Sequence, residues 1–289
     1  MEGKRRLSGA AGLLCSCRTV NRHFMCKSTS PVIVNFSEKI RGIRPPCPPA
    51  VTGKQVTITL YDPKGLMAGR DDLKTALTQV AQFYGALKTA QGLAASLAAD
   101  LSLYTFTAVY KAAAPGANEI AALGRMDFPL YVFNSPGLSP NSSSLEEIKA
   151  IMNLHGLAGF SNLRILQQNP DTLPILTTPV DFIKSVDESW ADQFVLGFGF
   201  PGNYYAKGTC NKLGIIKLDA LEKNKPVNAS AADRFRGVLI HELGHMFAVR
   251  HDEGSIPLTI MHKEYKGGLT HFSNEQIDVI RDTLKKLSP

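Results

Sequence analysis

The chain has 289 residues, of which 44% are hydrophobic and 20% are charged. This is the composition of an ordinary globular protein, and it excludes collagen-like, coiled-coil and wholly disordered chains. A chain of this length can bury a full hydrophobic core without disulfide or metal staples. No run of about 18 apolar residues occurs, so the sequence predicts no transmembrane helix.

The net charge of +7 lies entirely in an N-terminal arm, residues 1–51. The arm contains nine Lys and Arg residues against two acidic residues, whereas the remaining chain balances 23 basic side chains with 23 acidic ones. A balanced body gives no indication of nucleic-acid binding, which requires a basic surface. Four of the five cysteines also lie in the arm, so the sequence does not describe a disulfide-rich domain.

Three interpretations of the arm are open. An export signal would combine basic residues 1–6 with the apolar run 7–16, and Cys17 would then be an acylated lipoprotein cysteine that tethers the protein to a membrane. An organellar transit peptide would explain the abundance of Arg and Ser. The third interpretation is a plain basic tail that ends in a stiff proline-rich linker, residues 44–49. In each case we expect a soluble body.

Residues 52–289 are predicted to form one α+β domain. Alternating apolar residues predict a strand over 54–61, and helical spacing predicts a helix over 71–84 that continues or restarts over 93–101. Four further strands are predicted, over 103–110, 128–133, 193–200 and 213–218. Three further helices are predicted from capping residues, with Ser144 before 145–154, Ser230 before a helix that reaches Phe247, and Ser273 before the last helix.

Five of the seven histidines fall in the last 49 residues, and three of them stand in the segment HELGHMFAVRHD, residues 241–252. His241 and His245 are four residues apart on a predicted helix, so their side chains project from one face and can share a metal ion. His251 can join them only if the helix ends near Ala248 and the chain turns back. Three neutral imidazoles with one position left for water are typical of catalytic zinc.

Glu242 lies on the flank next to the two helical histidines. Its carboxylate cannot easily join the same tetrahedral shell, but it can reach a water in the fourth position. Zinc lowers the pKa of a bound water to about 7 and polarises a carbonyl group. Glu242 would accept the proton of this water as general base and deliver it to the leaving amine. We therefore expect one Zn²⁺ per chain and hydrolysis of a peptide or protein substrate.

The segment resembles the motif of the metzincin clan of zinc metallopeptidases, H-E-x-x-H-x-x-G-x-x-H followed by a methionine turn. Met261 matches that methionine, and the resemblance implies that it forms an apolar floor beneath the metal. Gly244 is similar to the archaemetzincin and matrixin branches, and the order of the upstream strands and the active helix is similar to archaemetzincins. The resemblance implies a zincin-like fold, with a twisted mixed sheet, a backing helix, an active-site helix and a small C-terminal subdomain. It also implies that extended substrate binds at a sheet edge, which we place at the strand over 213–218.

The sequence departs from the clan in several places. Ala248 replaces a glycine at the turn, which costs about 1 kcal/mol if φ is positive there. Asp252 stands next to His251 as a substitute third ligand. No cysteine follows Cys210, so the second zinc site of archaemetzincins is absent. Tyr265 lies four residues after Met261, where some clan members have a tyrosine two residues after it, and it is either an oxyanion contact or a surface residue.

Further alternatives concern latency and activity. Cys47 precedes the domain, as does the propeptide cysteine of matrixin-like enzymes, whose thiolate takes the fourth position on the zinc and keeps the enzyme latent. The flanking residues of that motif are missing here. His262 and His271 are interpreted as surface histidines. The alternative function is a catalytically inactive zinc-binding module that recognises protein partners. The presence of Glu242 argues against this alternative, since an inactive relative often loses the base.

Overall fold

The structure is a computed structural model that describes residues 16–20, 23–27, 54–135, 145–155, 197–200, 212–223, 229–252, 258–262 and 270–288. In the arm, strands β1 (Ser16–Val20) and β2 (His23–Lys27) form an antiparallel pair. None of the helices in the described ranges is long and apolar enough to cross a lipid bilayer. The predictions for Cys47, Cys210, Tyr265, Ser144 and the linker concern positions outside these ranges.

A five-stranded sheet is the centre of the domain, with the strand order β4-β3-β5-β7-β6. Its strands are β3 (Gln55–Tyr61), β4 (Thr105–Lys111), β5 (Asp127–Phe133), β6 (Gly197–Phe200) and β7 (Leu213–Lys217). All neighbouring strands run parallel except β6, which is antiparallel to β7. The prediction of a mixed α and β domain is confirmed by this architecture.

The prediction that the strand over residues 213–218 forms the sheet edge that binds substrate is wrong. Strand β7 lies inside the sheet between β5 and β6, and all five of its residues are buried. A continuous apolar run of this kind is typical of a parallel strand that is covered on both faces. In the described part of the sheet, the edge on this side is β6.

Seven α-helices are described: α1 (Asp71–Ala86), α2 (Ala95–Ser102), α3 (Ala117–Ala121), α4 (Leu145–Leu154), α5 (Leu218–Lys223), α6 (Ala231–Met246) and α7 (Asn274–Leu287). The predicted helices over 71–84, 145–154 and 231–247 are therefore confirmed within one or two residues. The boundaries of β3, β4, β5 and β7 differ from the prediction by one or two residues. Leu103 still bonds back to Asp100 at the end of α2, and Leu218 already begins α5.

Two of the predicted helix caps are described, and both are present. The Ser230 hydroxyl accepts from the N–H of Asp233 at the start of α6, and Ser273 forms a full capping box with Gln276 at the start of α7. Each cap satisfies N–H groups that have no partner inside the helix. Local sequence thus fixes where both of these helices begin.

One hydrophobic core joins the sheet to α1, α6 and α7. Val56, Ile58 and Leu60 alternate along β3 and face the same side. Helix α6 presents Phe235, Leu239 and Leu243 to this core, at the spacing of one helix face. The described part of the C-terminal region does not build a separate core. The buried apolar residues of α7 belong to the same core: Ile277, Ile280, Leu284 and Leu287.

Candidate metal centre

The last two turns of α6 carry two of the predicted ligands. His241 and His245 are half-buried, and their ring centroids are 4.7 Å apart. Leu239 and Leu243 on the same helix are buried in the core, so the rotation of α6 about its axis is fixed by packing. This rotation directs both histidines to one side of the helix.

Helix α6 ends in a turn that brings the third histidine back. The N–H of Ala248 donates to the carbonyl of His245 at 2.8 Å, and the N–H of Val249 donates to that of Gly244 at 2.9 Å. This pair of bonds defines a Schellman motif, which needs one residue in the left-handed region. That residue is Ala248, with φ of 66°. The chain therefore turns near Ala248, as a meeting of His251 with the other two histidines requires, and the positive φ on which the cost of alanine depends is present there.

The turn places the three histidines together. The Nε2 atoms of His245 and His241 are 3.0 Å apart, those of His245 and His251 are 3.0 Å apart, and those of His241 and His251 are 3.2 Å apart. Three nitrogen ligands of one tetrahedral zinc ion would lie about 3.4 Å from one another, given a zinc–nitrogen distance of about 2.05 Å. The three side chains are therefore close enough to bind one metal ion.

Hydrogen bonds to carbonyl groups determine which ring nitrogens of the two helical histidines carry a proton. Nδ1 of His241 lies 2.7 Å from the carbonyl oxygen of Ile260, and Nδ1 of His245 lies 2.9 Å from that of Val249. A carbonyl only accepts, so each Nδ1 must be the donor. In a neutral ring Nε2 then has a lone pair and no proton. Two lone pairs facing each other at 3.0 Å repel, and a shared cation removes this repulsion.

Burial keeps these rings neutral. It lowers the pKa of His241 to about 4, with a further decrease from neighbouring His251. Burial also lowers the pKa of His245 well below its usual value, and the two other histidines add to the effect. Both rings are thus uncharged at pH 7, which is the state that binds metals.

Glu242 lies beside the histidines and is buried, with 6% of its surface exposed. Burial raises the pKa of its carboxyl group from 4.5 to about 8. An acid with a pKa near neutrality is suited to accept and return a proton. The raised pKa makes the Glu242 carboxylate a stronger base when it is ionised, and in the metal-free chain a pKa of about 8 leaves the group mostly protonated at pH 7.

Met261 packs against α6 at Gly244. Its side chain is fully buried. A Cβ atom added to Gly244 would lie 2.5 Å from the Met261 sulfur, so the absence of a side chain at Gly244 permits this contact. Gly244 directly precedes His245, and Met261 thus supports the helix at the level of the ligands.

The edge strand β6 also touches the site, through two glycines whose role the sequence analysis missed. A Cβ atom on Gly199 would lie 2.1 Å from the carbonyl oxygen of Glu242, and one on Gly197 would lie 2.8 Å from its Cγ. Because alternate residues of a strand share a face, the Gly-x-Gly spacing places both glycines against α6. Glycines in a strand often mark a site where another backbone approaches closely, so the Gly-x-Gly spacing in the sequence could have indicated the contact between β6 and α6.

The other residues considered from the sequence lie outside the ligand cluster. Asp252 is buried, and its Oδ2 accepts from the N–H of Thr259 at 2.5 Å. This carboxylate is thus bonded to Thr259 and is not among the three groups of the described cluster. His262 is half-buried and His271 is exposed, and neither belongs to the described three-histidine cluster.

Comparison with protein-family models gives no match, and comparison with curated protein sequences gives none either. The assignment of the site therefore depends on its residues and their geometry. These show three histidines that can hold a metal ion, a buried glutamate next to them and an adjoining edge strand.

Proposed function

We propose that the protein is a zinc-dependent peptidase of the metzincin type. The observation that carries this proposal is the close approach of the three Nε2 atoms, at 3.0 to 3.2 Å, while the Nδ1 atoms of two of these rings are bonded to carbonyl groups. Imidazole nitrogens are common zinc ligands, and three of them with an open position are typical of a catalytic site. The exposed side of the cluster at His251 supports access from solvent.

The chain's own residues account for the proton transfers of peptide hydrolysis. When bound, zinc would supply a Lewis acid that activates water and polarises the peptide carbonyl. His241, His245 and His251 would hold it. The Glu242 carboxylate accepts the proton of the attacking water and passes it to the leaving amine. Its buried position keeps bulk water away from the transferred proton.

An extended peptide is the substrate that the adjoining strand suits. Strand β6 is an edge of the described sheet and lies on α6 at Glu242. A peptide that pairs with a sheet edge is held by main-chain hydrogen bonds, which do not depend on its sequence. A peptide bound along β6 would pass close to the histidine cluster. The proposed substrate strand is therefore β6 and not the strand over 213–218, and the proposed mode of binding, by pairing with a sheet edge, is unchanged.

The proposal is tested by zinc content and peptide cleavage of the full chain, using a quenched peptide library. Glu242→Gln keeps the shape of the side chain and removes its basicity. We expect one zinc per chain in both proteins, and a decrease in cleavage of about 10²- to 10⁴-fold in the variant. Glu146→Gln is the control, because Glu146 is an exposed glutamate of α4. We expect this control to cleave at the wild-type rate.

Each other outcome has a definite meaning. Zinc in all three proteins with cleavage in none would replace the peptidase by a zinc-binding module that recognises protein partners. Equal cleavage by wild type and Glu242→Gln would remove Glu242 from the reaction. An absence of zinc from the wild-type protein in zinc-containing buffer would overturn the site itself.

A further inference from the structure

Asp252 connects the third histidine to the methionine segment, residues 259–261. Only 7% of Asp252 is exposed, and its Oδ2 accepts from the N–H of Thr259 at 2.5 Å. The N–H of Asp252 donates in turn to the carbonyl of Met261 at 3.3 Å. These two bonds fix the position of the residue directly after His251.

The methionine segment in turn holds the first histidine. The carbonyl of Ile260 accepts from Nδ1 of His241 at 2.7 Å. The segment is itself held internally, since the N–H of Met261 donates to the hydroxyl of Thr259 at 3.1 Å. Asp252 is therefore connected to His241 by one hydrogen bond to Thr259, the peptide bond from Thr259 to Ile260, and one hydrogen bond from His241 to Ile260. One carboxylate thus controls the relative position of two ligands that are ten residues apart in the chain.

The charge of Asp252 is not needed for this bond. An asparagine could accept from Thr259 in the same place without burying a carboxylate, and an unpaired buried charge is costly for the fold. The second oxygen, Oδ1, is also buried and has no hydrogen-bond partner among the described residues. A buried carboxylate that is not fully bonded becomes favourable when a cation lies nearby.

We propose that Asp252 is a positioning residue for the metal ion, which orients His241 and His251 and supplies negative charge behind them. This inference rests on the proposed zinc site and goes beyond it, since Asp252 does not touch the ion. Mutation of groups that orient metal ligands without contacting the metal typically lowers metal affinity by about 10- to 100-fold. We expect fold stability and zinc affinity to respond differently when Asp252 is changed.

The experiment measures zinc affinity of the full chain by competition with a chelator, and the melting temperature of the metal-free protein. For Asp252→Asn we expect a melting temperature equal to or above that of the wild type, and zinc affinity about 10-fold lower. For Asp252→Ala, which also loses the bond to Thr259, we expect a lower melting temperature and an affinity loss of up to about 100-fold.

Asp62 offers a matched control. It is fully buried and accepts from the N–H groups of Leu66 and Met67, in a loop that does not carry the histidines. Asp62→Asn should lower the melting temperature and leave zinc affinity unchanged. Wild-type zinc affinity in both Asp252 variants would overturn the inference, whatever their stability.

The experiments on Asp252 measure zinc affinity and melting temperature and use no peptide substrate. Their outcome can therefore be distinguished from the outcome of the peptidase test. If the wild type binds zinc and cleaves no peptide, while Asp252→Asn binds zinc more weakly, the positioning role stands and the peptidase is overturned. If the wild type binds no zinc, both are overturned.

Discussion

Ala248 is the residue where function and backbone preference conflict. The Schellman turn that returns His251 to the site needs φ near 66° there, and a glycine adopts this value without strain. Alanine costs about 1 kcal/mol in this conformation, but its methyl group is buried, with 3% of the residue exposed. A buried methyl group contributes about 0.8 kcal/mol. The two contributions nearly offset each other, which explains how alanine is accommodated.

The first prediction follows from these two magnitudes. Ala248→Gly should change the free energy of unfolding by less than about 0.5 kcal/mol, because relief of strain offsets the lost methyl group. Urea unfolding of the metal-free protein measures this. The control is Ala76→Gly, which removes an equally buried methyl group from the interior of α1. It should lose about 1.5 to 2 kcal/mol, since helix preference and burial then act together. Equal losses in the two variants would show that Ala248 is unstrained.

At the scale of elements, the helices and the strands were predictable to different extents. Periodicity and caps located α1, α4, α6 and α7, because both signals come from residues that are close in sequence. The order of strands in the sheet depends on pairing between distant segments, which leaves no local trace. The placement of β7 inside the sheet and of β6 at its edge is the clearest example.

The contact between β6 and α6 leads to the second prediction. Gly199→Ala would place a methyl group 2.1 Å from the Glu242 carbonyl oxygen, so the strand or the helix must move. Overpacking of this kind costs about 1 to 3 kcal/mol, and we expect weaker zinc binding because His245 borders the same space. Unfolding and zinc titration measure the two effects.

Gly85→Ala is the matched control for Gly199→Ala. Gly85 lies in the last turn of α1, and an added Cβ atom meets nothing within 4 Å. There alanine should stabilise the protein by about 0.5 to 1 kcal/mol through its helix preference. A Gly199→Ala protein as stable as the wild type, with unchanged zinc affinity, would contradict the close packing of β6 on α6.

At the scale of the whole molecule, the site is assembled from parts that are far apart in the sequence. Helix α6 carries two of the proposed ligands, and the turn after it carries the third. The methionine segment accepts a hydrogen bond from His241, and β6 packs on Glu242. The proximity of the three histidines was predictable because they and Glu242 stand within eleven residues of sequence. The supporting contacts of Asp252, Gly197 and Gly199 were not, since each joins segments separated in the chain.

The third prediction concerns metal removal. A ligand that binds only the folded state stabilises it by about 2.7 kcal/mol at one hundred times its dissociation constant. Zinc should therefore raise the melting temperature of the full chain, and a chelator should reverse the increase. In His245→Ala the increase should disappear, whereas His271→Ala, at an exposed position outside the cluster, should retain it. An equal increase in His245→Ala would indicate that zinc binds elsewhere.

The end of α6 is also held by the last described helix. The hydroxyl of Thr283 in α7 donates to the carbonyl of Phe247 at 2.8 Å, directly before the turn at Ala248. During synthesis on the ribosome, all three histidines therefore emerge before the helix that steadies their turn. We expect a nascent chain to acquire its metal late, after α7 has left the exit tunnel. The order of residues along the chain would thus delay metal binding at the proposed site until the surrounding domain is able to fold.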